Sequence, residues 1–171
     1  METAKPFGEF ARYTFLSVLG MIAISCYILA DTFFVSSSLG TNGLAALNLA
    51  IPAYNFVHGT GLMLGMGGAT RFSILKSRRE NAAADGVYTN TLYLSALFSL
   101  LFFLVGLLFA SPLTALLGAD EAIFPMSRTY LQVMLLFSPA FILNDVFLCF
   151  VRNDGNPRLA MISTVTSSLS N

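Results

Sequence analysis

The sequence has few charged residues: Asp, Glu, Lys and Arg together make up 11% of the chain, against roughly 25% in an ordinary soluble domain. Hydrophobic residues make up 56%, and the mean hydropathy is +0.73. The apolar residues come in segments of about 20 or more, which is the length that a helix needs to cross a bilayer. We therefore expect an all-α integral membrane protein that is solvated by lipid.

The absence of net charge, the small numbers of His and Cys and the lack of catalytic motifs argue against several functions. The formal net charge is +0, so no basic field would attract nucleic acid. The chain has one His and two Cys, and Cys26 and Cys149 have no C-x-x-C or Cys/His spacing of the kind that binds metals. The catalytic patterns H-E-x-x-H and G-x-S-x-G do not occur. We expect a protein that is not an enzyme and has no resident cofactor or metal.

Turn-forming and charged residues divide the apolar sequence into four spans and the start of a fifth. The spans lie at about 13–36, 43–74, 88–110 and 127–151, and the fifth opens near 158. The first connection, SSSLGTNG, predicts a tight helix hairpin, whereas the second, KSRRENAAADG, is basic and long enough to leave the membrane. The third, SPLTALLGADEAIFPMS, should lie partly on the membrane surface, and the fourth, RNDGNPR, predicts a helix-turn-helix.

The last residues, TVTSSLSN, belong to an apolar segment that has no closing turn or charged flank. We therefore expect residues 1–171 to form an incomplete N-terminal transmembrane lobe. The remainder of the same chain would be its main protein partner.

The basic residues predict the orientation of the chain. Positively charged residues concentrate in cytoplasmic loops, and eight of the nine Lys and Arg residues fall on the side of the N-terminus, with only Arg128 on the other side. We therefore expect a multi-pass protein of the cytoplasmic membrane with its N-terminus in the cytoplasm.

Asp31 interrupts the apolar sequence of the first span, about 8 Å before the predicted outer end at 1.5 Å per residue. A carboxylate at that depth costs on the order of 1–3 kcal/mol, so it should face protein or water rather than lipid. Thr14, Ser17, Ser25 and Thr32 form a polar stripe beside it. Such an acid could exchange a proton or hold a sodium ion. The alternative is a structural Asp that caps the outer hairpin.

The second span carries a repeat of small residues and the single histidine. Gly61, Gly65 and Ala69 recur at every fourth position, which is typical of close helix packing in lipid. His58 lies near mid-span beside Asn55. The histidine could form an interhelical hydrogen bond or take part in substrate or proton binding.

Two prolines and a second acid add to this pattern. Pro52 and Pro139 are expected to interrupt the second and fourth spans and to free backbone carbonyls that could line a cavity. Asp145 follows Asn144 about two turns before the cytoplasmic end of the fourth span. Pairing with the basic cytoplasmic side and a role in the cavity are both open for Asp145.

Three segments resemble the MATE (multidrug and toxic compound extrusion) transporters in order and spacing. ADTFFVSSSLGTNGLAALNLAIP resembles the first hairpin of the family, GMGGATRFSILKSR the end of its second helix, and FLCFVRNDGNPRLAM its connection between helices four and five. The resemblance implies two six-helix bundles around a central cavity. It also implies export of cationic or amphipathic compounds, driven by entry of sodium ions or protons.

The resemblance also implies which residues bind the coupling ion. The aspartate of the family's first helix corresponds to Asp31, so a sodium ion or proton is expected near it. In the branch that this chain most resembles, an Asn in the fifth helix is followed four residues later by an Asp, and Asn171 corresponds to that Asn. Together with Asn55, His58 and Asp145, these residues are the candidates for ion coupling and for lining the substrate cavity.

Three functions compete at this point. The leading one is a sodium- or proton-coupled antiporter that exports drugs or other cationic compounds by alternating access between two bundles. A lipid-linked oligosaccharide flippase of the same superfamily should have a more basic cavity, whereas the charges within these spans are acidic. An integral membrane enzyme or accessory subunit is the third alternative.

Overall fold

The computed structural model describes residues 4–153 and residue 162, and this part of the chain is helical, with turns but no strand. Its elements are α1 (Ala4–Ser77), α2 (Asn81–Leu116), α3 (Phe124–Leu136) and α4 (Ser138–Asn153). The prediction of an all-α fold is confirmed. The predicted turn at residues 152–158 and the start of the fifth span lie almost wholly outside the described residues, as does Asn171.

Gly40 divides α1 into two arms. A straight helix of 74 residues would be about 110 Å long, several times the thickness of the hydrocarbon core. Gly40 has φ 64° and ψ −155°, a conformation that is essentially restricted to glycine. The first arm (4–39) therefore contains the predicted span 13–36, and the second arm (41–77) contains the predicted span 43–74.

The prediction that Pro52 interrupts its span is wrong. Pro52 lies inside α1, and the non-helical backbone of α1 is at Gly40, twelve residues earlier. The φ angle of proline suits a helix, so the helix continues, although the missing N–H leaves one carbonyl without its usual donor.

The connection from α1 to α2 is shorter than the sequence suggests. Backbone bonds from Arg79 N to the Lys76 carbonyl and from Glu80 N to the Leu75 carbonyl close a tight turn. Arg79 takes a left-handed φ of 61°, and α2 begins at Asn81. The expected loop is therefore mostly helix, because its alanines are strong helix formers.

The fourth predicted span is a bent helix. The axes of α3 and α4 differ by 48° at the break around Phe137, and Pro139 is the second residue of α4. The expected interruption at Pro139 is confirmed. Before α3, Asp120 Oδ1 accepts hydrogen bonds from the backbone N–H groups of Ala122 and Ile123, at 3.1 and 3.0 Å, which fixes the turn into the helix.

Small residues bring the helices into contact, as the glycine spacing predicts. A Cβ on Gly65 would lie 3.0 Å from Val146 Cα, and a Cβ on Gly68 would overlap the Thr91 side chain. The second arm and α4 run parallel, since Gly65 meets Val146 and the Ser73 hydroxyl lies 3.5 Å from the Asn153 carbonyl. The second arm and α2 run antiparallel, since Lys76 Nζ lies 3.5 Å from Asp85 Oδ1.

The core lies between the second arm, α2, α3 and α4, and includes Val57, Leu131, Leu135, Ile142 and Val146. Length and apolar composition qualify α1 and α2 as membrane-spanning helices in the described part of the chain, and the bent pair of α3 and α4 as a further span. The first arm packs less, and large apolar side chains such as Phe15, Leu29, Phe33 and Phe34 are exposed along it.

Candidate functional site

His58 and Asp145 form a close pair between two helices. The distance from His58 Nδ1 to Asp145 Oδ2 is 2.8 Å, which is within hydrogen-bond distance. His58 lies on the second arm of α1 and Asp145 on α4. The carboxylate side chain is only 6% exposed, while the imidazole is 40% exposed. The pair therefore joins a buried acid to a base that is partly exposed on the described part of the chain.

Gly61 allows this pair to form. A Cβ at this position would lie 2.8 Å from Asp145 Oδ2 and 3.2 Å from Ile142 Cα. Gly61 and His58 are three residues apart and share a helix face. Because Gly61 has no side chain, α4 can come close enough for its carboxylate to meet the imidazole one turn away.

Two aromatic rings adjoin the pair, each four residues before one of its members. Tyr54 stacks on His58 with ring centroids 5.6 Å apart and an interplanar angle of 9°. Phe141 meets Tyr54 edge to face at 6.0 Å and 80°. The i, i+4 spacing puts Tyr54 beside His58 on α1 and Phe141 beside Asp145 on α4. Tyr54 and Phe141 together form an aromatic wall, and Asp145 and His58 lie at its edge.

Asp31 lies apart from this pair, on the first arm of α1. It is exposed, and it acts electrostatically on Tyr130 of α3, as do Tyr27 and Tyr54. Tyr130 borders an open hollow of about 520 Å³ together with Met126, Thr129 and Val133.

The position of Asp31 does not support a capping role. The first arm continues in helical conformation to residue 39, about 12 Å beyond Asp31 at 1.5 Å per residue. A capping side chain bonds within the first turn of a helix, so Asp31 is too far from the break to cap it. The helix is also longer than the predicted span, so Asp31 lies in the interior of the first arm.

Two hydroxyls of the polar stripe beside Asp31 form hydrogen bonds within their own helix. Ser25 Oγ donates to the Met21 carbonyl at 3.0 Å, and Thr32 Oγ1 donates to the Ile28 carbonyl at 2.8 Å. Hydroxyls in helices commonly bond to the carbonyl four residues earlier. These two residues therefore do not need partners on other helices, whereas the carboxylate of Asp31 cannot be satisfied by a carbonyl of its own helix.

The remaining candidates are placed differently. Asn55 is exposed and lies three residues before His58, on the same side of the second arm. Asn171 lies outside the described residues. Within the described part of the chain, no group of three or more His, Cys, Asp and Glu side chains could hold a metal ion, so Asp31 does not form a cluster with His58 and Asp145.

The sequence singled out His58 and Asp145 separately but not as a pair. It also missed the contributions of Tyr130 and Phe141. A usable signal was the matching spacing of Tyr54 and His58 on one helix and of Phe141 and Asp145 on the other. Which residue of one helix faces which residue of the other depends on the packing at Gly61 and Gly65, and spacing along one helix does not contain that information.

Comparisons with known proteins agree with this architecture. The chain is 25% identical over 166 residues to the multidrug export protein MepA of Staphylococcus aureus, covering 97% of this chain and 37% of that protein. It is 29% identical over 152 residues to an FAD transporter of Shewanella oneidensis, covering 88% and 33%. The chain therefore spans little more than a third of the length of these relatives.

A solved structure gives the same fold. The MATE multidrug transporter DinF-BH superposes with a TM-score of 0.85 at 26% identity, over 93% of this chain and 36% of the transporter. The model of the MatE family matches residues 17–171. These matches confirm the resemblance noted in the sequence, and the chain belongs to the MatE family.

Proposed function

We propose that the full-length protein containing this chain is a cation-coupled antiporter that exports cationic or amphipathic small molecules, with Asp31 as a carboxylate that binds the coupling ion. The observation that carries the proposal is the position of Asp31. It lies in the interior of an apolar helix, away from the helix break, and within electrostatic reach of Tyr130. A charged group there is costly and usually functional.

The cargo follows from the sign of the intramembrane charges. The two acids that lie within apolar helices of the described chain, Asp31 and Asp145, favour positively charged molecules. Tyr54, Phe141 and Tyr130 offer ring faces that attract aromatic rings and cations. The relative named as a multidrug export protein supports a small-molecule cargo. The alternatives of an oligosaccharide flippase and of a membrane enzyme have no comparable support.

A second cargo class is favoured by one finding, the relative named as an FAD transporter. The aromatic wall would suit the rings of a dinucleotide, but its phosphates would be repelled by Asp31 and Asp145. FAD is therefore the informative competing cargo in a transport assay, and we expect it to be moved more slowly than an aromatic cation.

The test uses the full-length protein in liposomes, with a fluorescent aromatic cation and an imposed gradient. One arm has a sodium gradient at equal pH and the other has a pH gradient without sodium, so the two coupling ions are separated. Asp31→Asn should lower gradient-driven export at least about tenfold, because loss of an ion-binding charge removes on the order of 1.4 kcal/mol or more. Membrane insertion should be unchanged.

Asp85→Asn is the matched control. Asp85 carries the same charge, but its side chain is 70% exposed beside Lys76, near the start of α2, where its loss should leave export intact. Export by Asp31→Asn at the rate of the control would remove Asp31 from the mechanism. Faster movement of FAD than of the aromatic cation would reverse the proposed cargo class.

A further inference from the structure

The His58–Asp145 pair has a net charge that one proton changes. With the imidazole protonated the pair is neutral, and with the imidazole neutral it carries one negative charge. Histidine side chains in general change charge between pH 5 and 8. Because the carboxylate is 6% exposed and the imidazole 40% exposed, it is His58 that a molecule arriving from outside would displace.

Among the described residues, His58 is the cationic side chain that forms an ion pair with Asp145. Tyr54 of the second arm lies within range of the charge on Asp145, and Tyr27 of the first arm lies within range of Tyr54. From α4 itself, Arg152 acts on Asp145, and Cys149 lies within its reach. Arg152 is seven residues, or about 10 Å, along the helix from Asp145 and is exposed. On α3, Tyr130 carries no charge at neutral pH.

Asp31 is separate from the His58–Asp145 pair. It acts on Tyr130, and among the described residues it forms no acid, histidine or cysteine cluster with His58 and Asp145. The described lobe therefore has two separate acidic positions. One is Asp31, which is exposed on the first arm. The other is Asp145, which is buried and paired with His58.

The aromatic wall of Tyr54 and Phe141 lies beside the acidic position at Asp145. Tyr54 stacks almost parallel to the imidazole, at 5.6 Å, and Phe141 closes one side of Tyr54. The imidazole is itself a flat ring that bears a positive charge when protonated. A planar organic cation that replaced it would find the same carboxylate and the same ring face.

We propose that Asp145, Tyr54 and Phe141 form a binding subsite for the positive group of an aromatic cation, and that His58 occupies the subsite as an imidazolium when no cargo is bound. Cargo binding displaces the imidazole, which releases its proton to water, and the charge on Asp145 is then balanced by the cargo. One proton leaves for each monovalent cation bound. This subsite rests on the proposed export of cations but is separate from Asp31.

The first experiment measures binding of ethidium to the full-length protein in nanodiscs between pH 5 and 8. One-for-one exchange makes the affinity rise by up to about tenfold per pH unit while His58 is protonated, by linkage. Calorimetry in buffers of different ionisation enthalpy should count about one proton released per ethidium. Ethidium is chosen because its positive charge is delocalised over a planar ring system. Tetramethylammonium, which has no ring, is the comparison ligand, and the aromatic wall should bind it more weakly.

Three substitutions test the parts of the subsite. Asp145→Asn should weaken ethidium binding at least about tenfold and abolish proton release. His58→Gln keeps a hydrogen-bond donor for Asp145 but cannot exchange a proton, so binding should persist and become independent of pH. Tyr54→Leu should weaken ethidium about tenfold and leave tetramethylammonium unchanged. Asp85→Asn is the control for a lost surface charge.

The His58→Gln variant decides the question even if Asp145→Asn does not fold, as judged by gel filtration and thermal melting. If ethidium binding by His58→Gln no longer depends on pH and releases no proton, the exchange is supported. If His58→Gln shows the same pH dependence of affinity and the same number of released protons as the unmodified protein, the exchange is overturned. Unchanged ethidium binding by a folded Asp145→Asn variant would also overturn it.

Asp31→Asn separates this subsite from the proposed function. We expect that variant to bind ethidium with proton release and yet fail to export it. If the unmodified protein bound ethidium in this way but exported nothing under either gradient, the transport proposal would fail and the subsite would stand. If export were intact and Asp145→Asn had no effect on binding or export, the subsite alone would fail.

Discussion

Gly61 shows how one small residue determines the position of a functional group on another helix. Its missing side chain leaves the space in which the Asp145 carboxylate meets His58. Gly65 provides the next contact along the same helix face, against Val146 and Cys149. The close approach of the second arm and α4 therefore serves both the packing of the lobe and the geometry of the pair.

Substitution of Gly61 by alanine should disturb the pair and the packing together. The new Cβ would lie 2.8 Å from Asp145 Oδ2 and 3.2 Å from the backbone of Ile142, so α4 has to move. Overpacking of this kind costs about 1–3 kcal/mol. We expect a lower melting temperature of the full-length protein in detergent and weaker ethidium binding.

Gly59→Ala is the matched control for Gly61→Ala. Gly59 lies two residues away on the same helix, and nothing lies within 4 Å of a Cβ at that position. Alanine there should leave stability equal or raise it by about 0.5–1 kcal/mol, because glycine is a poor helix former. Equal melting temperatures of the two variants would contradict the packing role of Gly61.

The sequence could predict the residues of the candidate site but not their arrangement. An isolated His and an isolated Asp in apolar segments are conspicuous, because polar groups are costly in lipid. The contact between them depends on how two helices far apart in the chain align, and the repeat at Gly61 and Gly65 predicts only that some helix packs there. Tyr130 gave no signal of its own, because a tyrosine in a membrane helix is common near the interface.

At the scale of the helices, the breaks follow from backbone chemistry, with one exception. Gly40 and Pro139 mark interruptions that the sequence predicts, and the structure has a backbone break at one and a bend just before the other. Pro52 does not break its helix, because proline disturbs a helix only locally when the flanking turns are held by packing. The flanking residues Ala50 and Val57 are both buried in the core.

The helix boundaries were harder to predict than the breaks. The predicted spans end where charged or turn-forming residues begin, but α2 starts at Asn81 and continues to Leu116, past Pro112. Helical hydrogen bonding continues into the polar region outside the lipid, so apolar composition marks the part of a helix in the membrane rather than the whole helix.

Gly40→Ala should weaken the hairpin between the two arms of α1. At φ 64° and ψ −155° a side chain strains the backbone by about 1–3 kcal/mol. No atom lies within 4 Å of a Cβ at this position, so the effect would come from the backbone alone. The melting temperature of the full-length protein should fall.

Gly20→Ala, in the helical first arm, is the control for Gly40→Ala. Nothing lies within 4 Å of a Cβ at Gly20 either, and its backbone is helical, so this substitution should not destabilise the protein. An unchanged melting temperature of Gly40→Ala would show that the break does not depend on glycine.

At the scale of the whole chain, helix packing brings the basic residues to one end of the lobe. The second arm and α4 run parallel, so Lys76, Arg78 and Arg79 at the end of α1 lie on the same side as Arg152 at the end of α4. Arg128 lies in the first turns of α3, toward the opposite end. Because positive charges are retained in the cytoplasm during insertion, we propose that the N-terminus and the turn at residues 78–80 face the cytoplasm.

Cysteine labelling of intact cells tests this topology. In a full-length protein with Cys26→Ser and Cys149→Ala, a single cysteine is introduced either by Ser38→Cys beside the Gly40 break or by Ser77→Cys at the end of α1. Both positions are exposed, so each can react when the reagent reaches its side. A maleimide that cannot cross the membrane should label the Ser38→Cys variant at once and the Ser77→Cys variant only after permeabilisation, which serves as the control for reactivity. The reverse pattern would place the basic end of the lobe outside the cell.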